Sequence, residues 1–413
     1  MTSDLPLWRQ GDFRRLWAAQ AVSDFGARIT REGLPIMVVT LLAASPAQLG
    51  LLAAVRGFTA LAVGLTAGAF VDRHRRRGLL IASDLGRAVV LIGLPLAAWA
   101  GFLNLAEVFI AAALVAAAST FFDIADHAYL PSLVGRAHVT EANARLGTTE
   151  SIAEMGGPAL AGLLFQWLTA PIAVAVNAAT YLVSAAFLAR IETVEAPPDH
   201  EPRVRRWFDG VRTGLAAAWA QPAVRPLLLS AAITGLFGGI FSALYIVFAL
   251  RVVGLNPALL GITIAFGGAG ALLGSLIAQP LARRFGIGPA IIGTALASAA
   301  AAMLIPLAPA GAVPGMSVLI VSQILGDAVG TATLILAVSL RQGLLAPNLL
   351  GRTGAAFQAV GGGAAVAGAL GGGLLGQAVG VRGALFVAAA GLAVGPAIAL
   401  FTPLRALRKI PQA

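Results

Sequence analysis

Apolar stretches of about twenty residues or more follow one another along nearly the whole chain, separated by short polar breaks. As helices, such stretches cross the roughly 30 Å of membrane hydrocarbon. The pattern predicts twelve spans, at 16–43, 47–71, 78–99, 105–127, 143–167, 170–190, 224–250, 256–281, 286–308, 314–340, 353–378 and 382–403. The sharpest break is Asp72-Arg73-His74-Arg75-Arg76-Arg77, wedged between the second and third. Such a density of charge cannot sit in hydrocarbon, so the chain turns there and crosses back. Short cationic loops stay cytoplasmic, which orients every span and places both termini in the cytoplasm. Trp17 and Trp219 then fall at the inner edge, and Trp99 and Trp167 at the outer edge, as aromatic belts do. Met1–Arg15 is short and polar, without the apolar core of a cleavable signal peptide.

A second break interrupts the series in the middle. Glu192–Arg225 holds Glu195, Pro197, Pro198, Asp199 and Glu201, then a stretch in which Trp207, Phe208, Val211, Leu215 and Trp219 recur at helical spacing. With Arg205, Arg206 and Arg212 elsewhere on the wheel, it reads as an amphipathic helix on the inner leaflet. Three segments follow: a six-span bundle at 1–190, a cytoplasmic linker at 191–223, and a second six-span bundle at 224–413. A shift of 210 residues lays Gly64–Arg73 on Gly274–Arg283, and Leu160 and Gly162 on Leu370 and Gly372. These concordant offsets argue for duplicated halves, the plan of transporters whose substrate site lies between repeats. The expected fold is an all-α membrane protein, with twelve transmembrane helices in two pseudo-symmetric six-helix bundles.

Composition agrees: 58% of residues are hydrophobic and 11% charged, against about 25% charged in soluble domains. A net charge of +10 invites a nucleic-acid reading. Yet Arg28, Arg31, Arg56 and Arg87 lie inside spans, Arg251 and Arg382 lie outside, and the remaining basic residues collect in or beside predicted cytoplasmic segments. That is topology, not a phosphate-binding face. No cysteine is present, so disulfide and thiol chemistry are excluded. The sole lysine, Lys409, excludes a Walker A motif and with it ATP hydrolysis by this chain.

Gly68-x3-Asp72-Arg73-x2-Arg76-Arg77 resembles the signature between spans 2 and 3 of the major facilitator superfamily. Gly147-x8-Gly156-Gly157-Pro158-x3-Gly162 resembles the span 5 motif of its proton-coupled antiporters. Ser83-Asp84-Leu85-Gly86-Arg87, Tyr129-Leu130-Pro131-Ser132-Leu133-Val134, Glu141-Ala142-Asn143 and Leu340-Arg341-Gln342 are similar to phrases of its enterobactin-type and macrolide-type bacterial exporters. The resemblance implies a secondary exporter. Two departures stand out: Arg75 replaces the usual loop glycine, and Val108–Thr120 lacks the span 4 arginine of drug/proton antiporters.

Span 1 carries Asp24, Arg28, Arg31 and Glu32 on one helical face. Their charges sum to zero, so the set either pairs internally as a ladder or walls a cavity contacting substrate or protons. A charge near the bilayer centre costs about 2.5–3.5 kcal/mol, so this face should point inward. Span 5 carries Glu150 and Glu154 at i and i+4, with Glu154 about 16 Å along the helix from Asn143. Unpaired, the two would repel and ease protonation, as a proton-coupled carrier requires; alternatively Arg28, Arg31 or Arg56 pairs with them statically. Asp327 in span 10 is a further candidate, whereas Asp84 is expected to pair with Arg87 or Arg145 structurally. Gly156, Gly157 and Pro158 in span 5, and Gly372 and Gly376 in span 11, suit close helix packing.

The loop reads as a conformational latch. Asp72 can accept from exposed amides near Gly351–Gly354 at the start of span 11, while Arg73 and Arg76 could reach Asp123 or Asp126 at the inner end of span 4. Topology alone also accounts for part of this run. The histidines have no metal-ligand spacing, so no metal and no cofactor is implied. Neither a Gly-x-Ser-x-Gly nor a His-Glu-x-x-His constellation is present, so no enzyme is expected. The leading expectation is proton-driven antiport of a small lipophilic or amphipathic compound, by a monomer in the inner membrane of a bacterium. Proton symport, meaning uptake, and a non-transporting scaffold or sensor are the alternatives.

Overall fold

The computed structural model describes residues 6–193, 195 and 205–409, and among these it is helical with no strand. The helices are α1 (Gly11–Leu41), α2 (Pro46–Asp72), α3 (Arg76–Trp99), α4 (Leu105–Val134), α5 (Val139–Trp167), α6 (Ala170–Ala189), α7 (Arg205–Ala220), α8 (Arg225–Val247), α9 (Pro257–Phe285), α10 (Ile287–Leu307), α11 (Ala312–Leu344), α12 (Pro347–Ala378), α13 (Val381–Leu392) and α14 (Val394–Ala399). Ten stretches of the described residues are long and apolar enough to cross a membrane. The all-helical membrane fold expected from the apolar pattern is what is found. Helices α1 and α5, at 31 and 29 residues, are as long as these but carry the charged residues singled out above.

Several helices outrun the apolar stretches that predict them. Helix α4 continues to Val134 and α12 begins at Pro347. Apolarity stops at the hydrocarbon edge, but backbone hydrogen bonding continues until a residue interrupts it. For α4 that residue is Gly135, at φ 75°, a conformation that an L side chain strains to adopt. The last predicted span is broken instead of continuous. Pro396 offers no N–H and would crowd the carbonyl of Leu392, and the helix restarts as α14 after Ala393.

The chain divides into two compact units, Met1–Ala43 with Phe58–Val204, and Ala44–Gly57 with Arg205–Ala413. In the first, α3 packs on α4 and α6, and α1 on α5 and α6. Its core gathers Phe13 and Leu16 of α1, Leu80 of α3, Phe122 and Tyr129 of α4 and Leu188 of α6. In the second, α8 packs on α12, and α11 lies against both α9 and α10. Membrane helices have no hydrophobic force between them, so they rely on small residues for close approach. Gly368 accordingly sits on the backbone of Leu236, and a Cβ on Gly372 would stand 2.8 Å from Ile240 Cγ2. Large side chains such as Val89, Ile110, Leu276 and Leu374 remain on the outside, a surface that lipid makes favourable.

The segment expected as one linker, 191–223, divides in two. Thr193 and Glu195 attach to the first unit, while α7 packs on α12 of the second, with Gly214 against the Arg352 backbone. Pro197, Pro198, Asp199, Glu201 and the side chains of Arg205, Arg206, Trp207 and Phe208 lie outside the described residues. Of the described part of the amphipathic stripe, Leu215 and Trp219 are exposed, and the buried contact is made by Ala218.

Candidate functional site: a charged cluster in the first unit

The polar face of α1 meets α4 and α5. Arg28 Nη1 lies 3.1 Å from Glu154 Oε1, with the arginine side chain 14% exposed and the carboxylate 56%. Asp24, one turn earlier on α1, feels the charges of Glu150, Arg28, Asp126 and Asp123. Asp126 of α4 accepts from Gln20 Nε2 of α1. Trp17 Nε1 donates to Thr149 Oγ1 over 2.9 Å and fixes the register of α1 against α5. Arg31 Nε pairs with Glu32 Oε1 at 2.9 Å. Pairing within α1 is therefore found for Arg31 and Glu32, while for Arg28 the arrangement is the alternative pairing with span 5. Arg28 turns across to α5, where Glu154 supplies a partner that α1 alone cannot offer in that direction.

Close packing makes this reach possible. Gly157 faces Arg28, and a Cβ there would stand 2.6 Å from Arg28 Cβ. Gly156 lies against Phe25, and Pro158 is buried within α5. The result is a concentration of carboxylates, Asp24, Asp123, Asp126, Glu150 and Glu154, with Arg28 beside Asp24 and Glu154 and the charge of Arg87 acting on Asp123.

Behind the cluster, Asp84 and Arg87 of α3 form a buried pair, as expected. The Arg87 guanidinium stacks over Phe122 at 4.5 Å and Tyr181 at 4.2 Å, and donates toward Ser23 and Ser119. Arg145, the other candidate partner of Asp84, pairs with Glu141 instead, 2.8 Å away. This second pair is boxed in on every side and reads as scaffold.

The cationic turn makes different contacts from those expected. Among the described residues, Arg73 and Arg76 form no ion pair with Asp123 or Asp126. The free amides that begin α3 are taken by Glu195: Arg76 N donates to Oε2 and Arg77 N to Oε1, both over 2.7 Å. A carboxylate at a helix start satisfies orphan donors and meets the positive end of the dipole. Arg77 then donates to the Leu188 and Ala189 carbonyls at the end of α6. Nearby, Asp12 accepts from Thr193 N at 2.9 Å and from Thr193 Oγ1 at 2.6 Å. Burial pushes the Asp12 carboxyl up, but the bonds from Thr193, Glu192 and Arg15 outweigh it and hold the group below its ordinary value.

Asp72 is half-buried at the end of α2, and Arg73 is exposed. Asp327 belongs to the second unit, on α11, with its carboxylate packed against Gly267 of α9. Gly372 and Gly376 face Ile240 and Leu244 of α8. Sequence reasoning missed Glu195, Asp12 and Gln20. For Glu195 the one available signal was that Arg75, before α3, has no capping side chain to offer the amides that follow.

A family described as transmembrane secretion effector matches residues 2–412. The uncharacterized MFS-type transporter YfiS of Bacillus subtilis (strain 168) is 25% identical over 284 residues, 66% of this chain and 65% of that one. BacE of Bacillus amyloliquefaciens, named as a proposed bacilysin exporter, is 33% identical over 152 residues, 36% of each chain. The matched stretches thus span less than two thirds of these relatives. Among solved structures, a bacterial homologue of the iron transporter ferroportin superposes with a TM-score of 0.73 at 16% identity, covering 96% of this chain and 99% of that one. The nucleoside transporter NupG gives 0.75 at 13% identity, covering 94% and 98%.

Proposed function

The chain belongs to the transmembrane secretion effector family and is a membrane transporter of the MFS type; from that premise, we propose that it exports a small lipophilic or amphipathic compound by proton antiport. The observation that carries the coupling is the Arg28–Glu154 pair set among Asp24, Glu150, Asp123 and Asp126. In this reading a proton taken up by the cluster loosens the pair, and its release re-forms it. Two energetically similar arrangements of one site are what alternating access needs. Export as the direction is supported by the likeness to BacE, whose name concerns the export of a small molecule.

The same reading has twelve spans, with α1 and α5 crossing beside the ten apolar stretches, and two six-helix bundles joined by the central segment. It has a monomer in a bacterial inner membrane with both ends cytoplasmic. Asp72 serves as a latch that accepts from the amides near Gly351–Gly354 in the outward-facing state. Asp327 and the span 1 charges line the path of substrate or protons.

The test is accumulation of a panel of lipophilic dyes and antibiotics in cells expressing the protein, with and without a protonophore. Lower accumulation that the protonophore abolishes, and that Glu154→Gln loses, is the expected result. Higher accumulation in expressing cells overturns export in favour of uptake. Export that survives both the protonophore and Glu154→Gln overturns proton coupling through this pair.

A further inference from the structure

The second unit carries a half-open cavity of about 480 Å³ among α8, α10, α11, α12 and the last helix. That volume falls within the range of small-molecule sites, about 300–1,000 Å³. Its walls are almost wholly apolar, with Ile291, Ala295, Leu334 and Ala337 among them. It extends from Arg341, in the last turn of α11, inward to Gly330, a depth of about 16 Å along that helix.

One charged side chain lines it. Arg341 lies flat over the Phe357 ring, its guanidinium carbon 4.7 Å from the centroid. Its Nε is buried without a hydrogen-bond partner. Among the described residues no carboxylate forms an ion pair with it. An arginine near a helix end ordinarily snorkels, keeping its whole head in water. Here the buried Nε and the ring beneath hold the head at the cavity wall. The uncharged polar lining is sparse, Ser230, Thr234, Ser298, Thr333 and Gln358, and Thr333 Oγ1 already donates to the Val329 carbonyl at 2.8 Å. What the cavity lacks is an anion at one end, and what it offers elsewhere is apolar surface.

We propose that this cavity binds an amphipathic monoanion, with its apolar body between α8, α10 and α11 and its anionic head on the Arg341 guanidinium. The charge follows from the lone arginine, since a cation would meet an uncompensated like charge and a neutral compound, though able to accept a hydrogen bond, would leave the guanidinium charge without a counter-ion. A fatty carboxylate and an anionic phospholipid share this chemistry. The inference stands apart from export, because it concerns binding alone and is tested without transport.

The experiment uses the purified full chain in a neutral maltoside detergent, with dansylaminoundecanoic acid as fluorescent probe. Saturable binding is expected, displaced by undecanoate but not by undecanol. Arg341→Gln is expected to weaken it about tenfold or more, the scale of a lost charge-assisted bond. Ala337→Phe, which fills the cavity one turn away without touching the charge, should abolish it; this variant decides the matter if Arg341→Gln does not elute as a folded protein. Phosphatidylglycerol competes in a parallel arm. Displacement by either competitor supports the site, and the stronger one names the source. Absence of saturable binding, equal displacement by undecanol, or unchanged binding in folded Arg341→Gln overturns the proposal.

Discussion

Arg28 on α1 and Glu154 on α5 stand 3.1 Å apart, and the arginine is the more deeply buried partner. Removing either leaves a different problem behind. Without Glu154, a largely buried guanidinium that cannot shed its proton loses its counter-charge. Without Arg28, the exposed carboxylate can take a proton or meet water. Glu154→Gln should therefore destabilise more than Arg28→Gln, by about 1–3 kcal/mol, below the cost of breaking a fully buried pair. Thermal unfolding of both variants in detergent checks this; the reverse order would mean that the arginine is paired elsewhere.

The two glycine positions make a paired prediction. A Cβ on Gly157 meets Arg28 Cβ at 2.6 Å, close to the α1 backbone, whereas one on Gly376 meets side-chain atoms farther off, the Leu244 methyls at 3.0 and 3.2 Å and Pro46 Cβ at 3.3 Å. Gly157→Ala should cost about 1–3 kcal/mol and disturb the ion pair, while Gly376→Ala should be nearly neutral. Melting temperatures of the two variants decide it, and equal shifts would contradict the packing described here.

Asp12 gives a pH dependence with a definite sign. Its carboxyl is held below the ordinary value of 3.8, so the stabilisation is fully present above that pH and is lost as pH falls through the depressed native value. Wild type should be more stable than Asp12→Asn near neutrality, and the gap should close as pH drops below about 4. Melting curves over a pH series measure the gap. One that stays constant into acid would show that Asp12 contributes nothing through its charge.

Asp72 and Glu195 flank the same turn with different duties. Under the proposed latch, Asp72→Asn abolishes transport while leaving the stability within about 0.5 kcal/mol of wild type. Glu195→Ala uncaps the two amides of α3 and should cost about 1 kcal/mol in stability. Full transport by Asp72→Asn would end the latch idea.

The apolar pattern carried the helices well, because hydrocarbon thickness dictates span length and leaves little freedom. It carried their ends less well. Val134 and Pro347 extend helices beyond the hydrocarbon edge, where hydrogen bonding and not apolarity decides the stop. The break before α14 was legible in Pro396, which a reading by apolarity alone passes over. Partners of charged residues were the least legible part. Periodicity placed Asp24 and Arg28 on one face and left Arg28, Arg31 and Arg56 as alternative partners for Glu154; packing across 126 residues is what brings Arg28 to it. Asp84 with Arg87 was readable because both ends of the pair sit within one helical turn. Glu195 lay in a segment read as solvated linker, where an acidic residue carries no positional signal.

The sequence separation of Arg28 and Glu154 bears on how the chain is made. Ribosomes add about 5–20 residues per second, so Arg28 emerges roughly 6–25 s before its counter-ion is synthesised. During that interval α1 carries Asp24, Arg28, Arg31 and Glu32 into or beside the bilayer without α5. Each charge near the centre costs about 2.5–3.5 kcal/mol on insertion scales. The first helix is thus a poor lone entrant, and its seating depends on helices made after it. A fragment ending before α2 should be extractable by carbonate washing, whereas the full chain stays in the membrane.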